Sequence, residues 1–366
     1  MDLKELGWNK GLQEKFLEYK EKGYLPARVA CEYKNIYAVI CETGEFRAEL
    51  SGRFWYELQN ELKSKGDLPA VGDWVALSYQ TGATKAFIHG VLPRKSKFSR
   101  KIKIAGGKKI KKFEGAPIIA GGTTGEQILA ANIDTVFYVV GLDFNLSLSR
   151  IERFLTLVWE CGATPVIVCN KVDLCEDYEV KIEEVENIAM GVPVYAVSGL
   201  LDEGMEQLDP YIKDGQTSAF IGSSGVGKST IINSIAGENI QVVQQIRAHD
   251  GKGRHTTTSR EMVIMPGKGI LIDTPGLREL QLWTDQGNVI RTFRDIEDLK
   301  TQCRFRNCSH CSEPGCAITS ALEDGSLDPE HYKSYLKQQR EMRYLKRKQN
   351  ERDRMIEKIK FKRKVG

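Results

Sequence analysis

The sequence predicts a multidomain α/β protein with an N-terminal OB-fold β-barrel, a doubly wound α/β domain and a C-terminal helical domain that binds a metal. Three observations predict this arrangement. Short strand-like runs separated by turn residues fill residues 27–97, near-continuous apolar strands alternate with helices from residue 128, and four cysteines lie between Cys303 and Cys316. A chain of 366 residues is long enough for two or three such domains.

Composition indicates a soluble, cytosolic protein. Apolar residues make up 41% and charged residues 28% of the chain, and no apolar run reaches the roughly 18 residues of a membrane span. The N-terminus lacks the layout of a secretory signal, so we expect reduced cysteines and no disulfide framework. The net charge is +4, yet residues 331–366 carry 14 Lys and Arg against 4 Asp and Glu. This basic tail and a second basic stretch at 94–112 suggest a polyanionic partner.

The barrel prediction rests on five short strands within about 70 residues. They are expected at 28–33, 36–40, 46–50, 73–77 and 86–92, after a polar helical extension over residues 1–26. Such barrels often bind RNA, although a packing module without nucleic acid is an alternative. Residues 98–127, rich in Gly and Lys, are interpreted as a basic linker or mobile loop.

Uninterrupted apolar strands over residues 128–284 predict a sheet covered by helices on both faces. They are expected at 134–140, 165–169, 193–197, 218–221, 261–265 and 269–273. The strand at 218–221 leads into a run that matches the phosphate-binding pattern G-x-x-x-x-G-K-[ST]. We therefore expect nucleotide contacts from Gly222, Ser223, Ser224, Gly225, Val226, Gly227, Lys228, Ser229 and Thr230.

Glycines let this loop turn its N–H groups toward phosphate, and the helix that follows favours negative charge. Lys228 should reach the β- and γ-phosphates, and the Ser229 hydroxyl should bind Mg²⁺. Asp273 ends a strand about 45 residues later, where its carboxylate can hold Mg²⁺ through a water. The Gly276 N–H can meet the γ-phosphate.

A Gly-containing segment between these two motifs has the character of a switch. One of the three threonines 256–258 could close on Mg²⁺ and the γ-phosphate, and Thr257 or Thr258 is favoured. Leu277 occupies the position where many GTPases have a water-orienting glutamine. We therefore expect low basal turnover. His255 is the best candidate to position water, with a solvated loop histidine as the alternative.

A base-reading motif predicts guanine as the base. The Asp173 carboxylate can accept hydrogen bonds from the N1–H and the exocyclic amine of guanine, which adenine does not offer together. Asn170 would support the loop, the Lys171 stem would cover the ring, Val172 lies within the motif, and Ser198 could contact the base oxygen. This motif precedes the phosphate loop, whereas small GTPases have the opposite order. The sequence therefore predicts a circularly permuted GTPase, which is possible because domain termini usually lie close together.

The cysteine cluster predicts a structural metal site. Cys303, Cys308, His310 and Cys316 supply three thiolates and an imidazole, a set typical of closed tetrahedral zinc. Cys311 lies beside them, and from the residues alone it could exchange roles with His310. A long helix follows from Leu327 to about residue 359. It could be a solvated charged helix or a surface that contacts a phosphate backbone.

Taken together, these motifs resemble the ribosome small subunit-dependent GTPase A family, also called RsgA, YjeQ or YloQ. The resemblance covers nearly the whole chain and includes residues 68–75 and 131–134 besides the motifs above. It implies an OB-fold, a permuted GTPase domain over 128–284 and a zinc-binding domain over 285–366. It also implies that Cys311 is a bystander and that the other four side chains bind zinc.

The resemblance further implies GTP hydrolysis in late maturation of the small ribosomal subunit, stimulated by the subunit. We expect a cytoplasmic monomer that binds GTP with Mg²⁺, one structural Zn²⁺ and rRNA, and no membrane. A GTP-regulated RNA-binding switch whose hydrolysis is incidental is the alternative. A metal-dependent nuclease is disfavoured because the thiol-rich site leaves no open coordination position.

Overall fold

A computed structural model describes residues 2–33, 36–60, 68–80, 85–103, 124–143, 146–223, 225–237, 261–273, 291–311 and 313–365. The chain divides into two compact units. Unit 1 contains residues 1–145, 161–176 and 195–280, and unit 2 contains residues 146–160, 177–194 and 281–366. In the part of the chain that the structure describes, every helix is too short or too polar to span a bilayer. The domain boundaries expected from the sequence stay predictions.

The N-terminal part of unit 1 is the predicted five-stranded barrel. Its strands are β1 (Leu25–Tyr33), β2 (Ile36–Cys41), β3 (Gly44–Leu50), β4 (Trp74–Tyr79) and β5 (Lys85–Val91). Helix α3 (Gly52–Asn60) follows β3, and two short helices, α1 (Lys10–Lys15) and α2 (Leu17–Glu21), precede β1. Strand β1 pairs with both β2 and β4, which closes the barrel. Alternate residues such as Val29, Val39 and Ile88 fill its core.

The remaining strands of unit 1 form the predicted doubly wound sheet. They are β8 (Thr135–Gly141), β9 (Thr164–Asn170), β10 (Val194–Val197), β11 (Thr217–Ile221), β12 (Glu261–Met265) and β13 (Gly269–Asp273). Their spatial order is β10-β9-β8-β11-β13-β12. Strands β9, β8, β11 and β13 are parallel, and β12 is antiparallel to β13. All of β9 after its first residue is buried, as its apolar sequence predicts.

Helices and short 3₁₀ turns connect these strands. They are α4 (Leu148–Cys161), a turn at Val172–Leu174, α5 (Tyr178–Ile188), a turn at Met205–Tyr211 and α6 (Lys228–Ala236). Because neighbouring parallel strands end at the same edge of the sheet, the segments that follow β8, β9 and β11 begin close together.

Two features of unit 1 differ from the expectation. Strand β12 pairs with barrel strand β1 at Glu261 and Cys31, which makes the barrel and the doubly wound sheet one continuous sheet of 11 strands. The basic segment 98–127 is also not wholly a linker. Its ends lie in an antiparallel pair, β6 (Lys97–Lys103) and β7 (Thr124–Ala131), and Phe98 is fully buried. The Gly- and Lys-rich middle, residues 104–123, lies outside the described residues. These residues supply most of the glycine and lysine on which the linker interpretation of 98–127 was based.

A buried arginine joins several segments of unit 1. The Arg28 guanidinium on β1 donates to the carbonyl oxygens of Leu6, Gly72 and Asn132, and at 2.8 Å to the Thr217 hydroxyl on β11. Burial lowers its pKa to about 10, and the carboxylates of Asp134 and Asp73 oppose that shift. One side chain thus ties the N-terminal segment and the barrel to the strand that leads into the phosphate loop.

The C-terminal part of unit 2 is helical, as predicted. It contains α7 (Arg294–Thr301), α8 (Ala317–Glu323) and α9 (Pro329–Val365). These helices pack around Phe293, Ile296 and Ile318. Tyr335 and Met342 are buried on α9, because residues seven apart lie on one face of a helix. The side chain of Leu345, the third member of the expected apolar seam, lies outside the described part.

Candidate nucleotide and metal sites

The phosphate loop begins where β11 ends, and its shape depends on glycine. A Cβ atom at Gly222 would lie 2.2 Å from the carbonyl oxygen of Val139. Gly227 has a φ of +94°, and a Cβ atom there would lie 2.1 Å from Nδ2 of Asn170. Since neither position can hold a side chain, the loop stays close to β8 and β9. Lys228 turns back over the loop and its Nζ donates to the carbonyl oxygens of Gly222 and Ser223 at 2.8 and 2.6 Å.

Ser229 and Thr230 lie in the first turn of α6 and are exposed, as is Gly225 in the loop. Val226 is buried in the core of the sheet domain. The N-terminus of α6 presents backbone N–H groups and the positive end of the helix dipole. The arrangement can therefore hold phosphate oxygens. Ser224 lies outside the described residues.

Asn170 connects the base-reading motif to the phosphate loop. The residue as a whole is 3% exposed. The amide nitrogen donates to the carbonyl oxygen of Val226 at 2.8 Å, and the amide oxygen accepts from the Gly199 N–H at 2.9 Å. One side chain thus holds together three segments that the sequence separates by up to 56 residues.

Asp173 lies in the 3₁₀ turn that follows Asn170, together with Val172. Its Oδ1 accepts from the buried Ser198 hydroxyl at 2.6 Å, and the Ser198 oxygen accepts from the Leu201 N–H at 3.2 Å. The aspartate is exposed on its other side. This orientation leaves a carboxylate oxygen available to a ligand beside the phosphate loop.

Lys171 has a positive φ of 70°, and its ammonium group donates to Oδ2 of Asp143 at 2.7 Å. The sequence reasoning missed Asp143. A usable signal was present, because a carboxylate two residues after an apolar strand lies at the same sheet edge as the end of the neighbouring strand.

The structure describes only part of the predicted switch machinery. Strand β13 runs parallel to β11 and ends at Asp273, whose backbone pairs with Glu261 of β12. His255, Thr257, Thr258 and Gly276 lie outside the described residues, and so does the side chain of Asp273. Their roles stay predictions.

In unit 2, the ligand atoms of Cys303, Cys308, His310 and Cys316 all lie within 4.8 Å of one another. Nδ1 of His310 is 3.6 Å from Sγ of Cys303 and 3.6 Å from Sγ of Cys316. Bonds of about 2.3 Å to sulfur and about 2.0–2.1 Å to nitrogen give a tetrahedral S···N edge of about 3.6 Å. The donor set and its spacing therefore fit a tetrahedral metal such as zinc.

The thiols of this cluster differ in character. Cys316 precedes α8, and its Sγ accepts from the Thr319 N–H at 3.5 Å. Although desolvation opposes the charged form, hydrogen bonds from Thr319 and His310 lower the pKa of Cys316 to about 6. Cys311 is exposed, and its Sγ lies 3.6 Å from the Ser309 carbonyl oxygen rather than in the cluster. The structure thus brings together the four side chains that the resemblance selects and leaves Cys311 apart.

Comparison with known proteins identifies the family. The family model described as RsgA GTPase matches residues 118–283. Small ribosomal subunit biogenesis GTPase RsgA 2 of Lactiplantibacillus plantarum is 41% identical over 347 residues, which cover 95% of this chain and 90% of that protein. The chain belongs to the RsgA GTPase family. Small ribosomal subunit biogenesis GTPase RsgA of Opitutus terrae is 42% identical over 357 residues, with 95% of this chain and 92% of that protein covered.

Solved structures agree with the RsgA fold. YjeQ from Thermotoga maritima is 28% identical with a TM-score of 0.60, over 87% of this chain and 98% of that chain. YloQ, described as a circularly permuted GTPase, has a TM-score of 0.57 at 22% identity, over 87% of this chain and 95% of that one. The predicted fold class and the permuted motif order are therefore confirmed.

Proposed function

We propose that this RsgA-family chain hydrolyses GTP to GDP and phosphate as a checkpoint in late maturation of the small ribosomal subunit, with hydrolysis stimulated by the subunit. The relatives that match 95% of the chain are named as small ribosomal subunit biogenesis GTPases. We further propose that it is a cytoplasmic monomer that binds rRNA. The names of the relatives do not favour the alternative in which hydrolysis is incidental to RNA binding.

The observation that carries the proposal is the double hydrogen bond of Asn170 to Val226 and Gly199. It fixes the base-reading motif beside the phosphate loop, so one guanine nucleotide can reach Asp173 and Lys228 together. A base bound here would cover the Asp173 carboxylate, and adenine would be rejected because its edge leaves that carboxylate unpaired.

The phosphate end of the site is prepared for negative charge. The Lys228 ammonium group donates hydrogen bonds to the carbonyl oxygens of Gly222 and Ser223. When a nucleotide binds, this ammonium group would donate to the phosphate oxygens instead. The exposed Ser229 hydroxyl at the start of α6 and the carboxylate of Asp273 would hold Mg²⁺. When bound, that ion would neutralise the negative charge that develops on the transferring phosphate.

We assign the γ-phosphate contacts to Thr257 or Thr258 and to the Gly276 N–H. With Leu277 at the usual glutamine position, the chain has an apolar side chain where water is commonly oriented. His255 is our candidate to position that water. The isolated chain should therefore hydrolyse GTP slowly, and the subunit would help to position the attacking water.

The parts of the chain outside the nucleotide site would bind rRNA or stabilise the fold. The barrel, the basic segment at 94–112 and the basic helix α9 would contact rRNA phosphates. The Cys303, Cys308, His310 and Cys316 cluster would hold one zinc ion with no open coordination position, so the metal would stabilise the fold around α8 rather than take part in hydrolysis.

GTP turnover with and without purified small subunits tests the proposal. We expect subunits to stimulate phosphate release by the wild-type chain, with the stimulation lost in Lys228→Ala. If GTP only raised RNA affinity while subunits left turnover unchanged, the proposed reaction would be wrong and the RNA-binding switch would be favoured.

Base selection is tested by Asp173→Asn. Loss of two hydrogen bonds to a carboxylate should weaken GTP binding about 100-fold. Because xanthine has a carbonyl group in place of the exocyclic amine of guanine, the asparagine amide can donate to it, and XTP should bind better than GTP. Asp177→Asn removes the same charge from an exposed position and serves as the control. Equal GTP affinity in the two variants would exclude Asp173 from base recognition.

A further inference from the structure

An ion pair at the edge of the nucleotide site is unexplained by the assigned motifs. Nζ of Lys171 lies 2.7 Å from Oδ2 of Asp143, and the two side chains are only 25% and 21% exposed. A pair so far withdrawn from water holds its geometry better than an exposed surface pair. Asp143 therefore restrains a lysine of the base-reading motif.

The backbone around Asp143 is built to bring this carboxylate to Lys171. Gly141, the last residue of β8, pairs in register with Asn170 of β9. The Leu142 N–H donates to the Asn170 carbonyl oxygen at 3.0 Å. A Cβ atom at position 141 would lie 2.7 Å from Oδ1 of Asp143, so glycine leaves the space that the carboxylate occupies.

Lys171 itself is fixed at both ends of its side chain. Its backbone has the left-handed conformation and follows Asn170, which is anchored to the phosphate loop. Its ammonium group is anchored at Asp143. The aliphatic stem between these two points is therefore ordered before any ligand arrives.

We propose that Asp143 is a positioning residue that holds the Lys171 stem in place to cover one face of the guanine ring. The inference rests on the proposed function, since it concerns the same pocket. Without the anchor, nucleotide binding would have to immobilise a long, rotamer-rich side chain, which weakens affinity by about three- to tenfold. Asp143 acts through Lys171 and touches no reacting atom.

The sign of the expected effect separates this role from simple charge removal. An anionic side chain near a nucleotide repels its phosphates, so the loss of Asp143 charge alone should tighten binding. Release of the lysine stem should weaken binding. A weaker affinity for GDP in Asp143→Asn is thus opposite to the electrostatic expectation.

The test is the Kd for GDP, measured by isothermal titration calorimetry on the full chain. We expect Asp143→Asn to bind GDP about three- to tenfold more weakly than the wild type, and Gly141→Ala to show a similar loss because its methyl group displaces the carboxylate. Lys171→Met should bind at least as weakly as Asp143→Asn. The Asp143→Asn/Lys171→Met double variant should be no weaker than Lys171→Met alone.

Two controls keep the test specific. Inorganic triphosphate has no base and responds only to the lost charge, so Asp143→Asn should bind it at least as tightly as the wild type does. Glu57→Gln breaks the exposed Arg53–Glu57 pair and changes net charge equally, and should leave GDP binding unchanged.

Unchanged GDP affinity in Asp143→Asn, losses that multiply in the double variant, or an equal loss for inorganic triphosphate would each overturn the inference while the proposed function stands. A wild-type chain that fails to bind GDP would overturn both.

Discussion

A buried histidine in unit 2 makes stability depend on pH. His331, near the start of α9, is 7% exposed at its side chain and lies between two carboxylates. Its Nδ1 contacts Glu152 of α4, and its Nε2 lies 3.0 Å from Oδ2 of Asp295 on α7. Burial disfavours the charged imidazole, but the hydrogen bonds and charges of Asp295 and Glu152 outweigh it and raise the pKa of His331 to about 9. The variant His331→Gln keeps a polar side chain at this position and removes the titrating imidazole.

The magnitude follows from the shift between the unfolded and folded pKa. A rise from 6.5 to about 9, at about 1.4 kcal/mol per unit, corresponds to about 3 kcal/mol. The Asp295 side chain is 30% exposed, so we discount this to about 2 kcal/mol for solvent screening. Because the folded pKa is the higher one, this stabilisation is fully present below pH 6.5 and is lost as pH rises through about 9.

Urea unfolding followed by far-UV circular dichroism measures the effect, with one equivalent of zinc present at every pH to fill the proposed metal site. Near pH 6.5 the wild type should exceed His331→Gln in unfolding free energy by about 2 kcal/mol, and near pH 9.5 most of that difference should be gone. His89→Gln, in the barrel, is the control. Burial lowers the pKa of His89, so its variant should show no such change over this range. A wild-type advantage that stayed constant or grew with pH would contradict the predicted stabilisation by charged His331.

Two further predictions concern the described contacts. Asn170→Ala removes the hydrogen bonds to Val226 and Gly199 and leaves both backbone groups buried without these partners. The free energy of unfolding in urea should therefore fall by about 2–4 kcal/mol, and calorimetry should show weaker GDP binding. Wild-type values for both quantities would contradict this prediction. Glu313 accepts from the Ser309 N–H and hydroxyl and from the Cys311 N–H. Glu313→Gln should therefore weaken binding of the proposed zinc ion about tenfold in competition with a chromophoric chelator, whereas Asp324→Asn, the control, should not.

Local patterns in the sequence determined the parts of this protein whose geometry depends on near neighbours. The five barrel strands, the apolar strands of the sheet, the helix after the phosphate loop and the long C-terminal helix lie where alternation or periodicity predicted them. The spacing of Gly222, Gly227 and Lys228 also specifies a local shape, since a glycine-dependent turn before a helix needs no distant contact. The spacing of the cysteines and His310 likewise pointed to one metal cluster.

Tertiary structure alone decided which distant segments touch. Asn170 reaches Val226, and Asp143 reaches Lys171, because parallel strands that are separated in the chain end at one edge of the sheet. The pairing of β12 with β1 joins the barrel to the nucleotide-binding sheet, although neither strand carries a signal for the other. Hydrophobic periodicity indicates which face of a helix or strand is buried. It does not indicate which other element packs against that face. That partner is set by the topology of the whole chain.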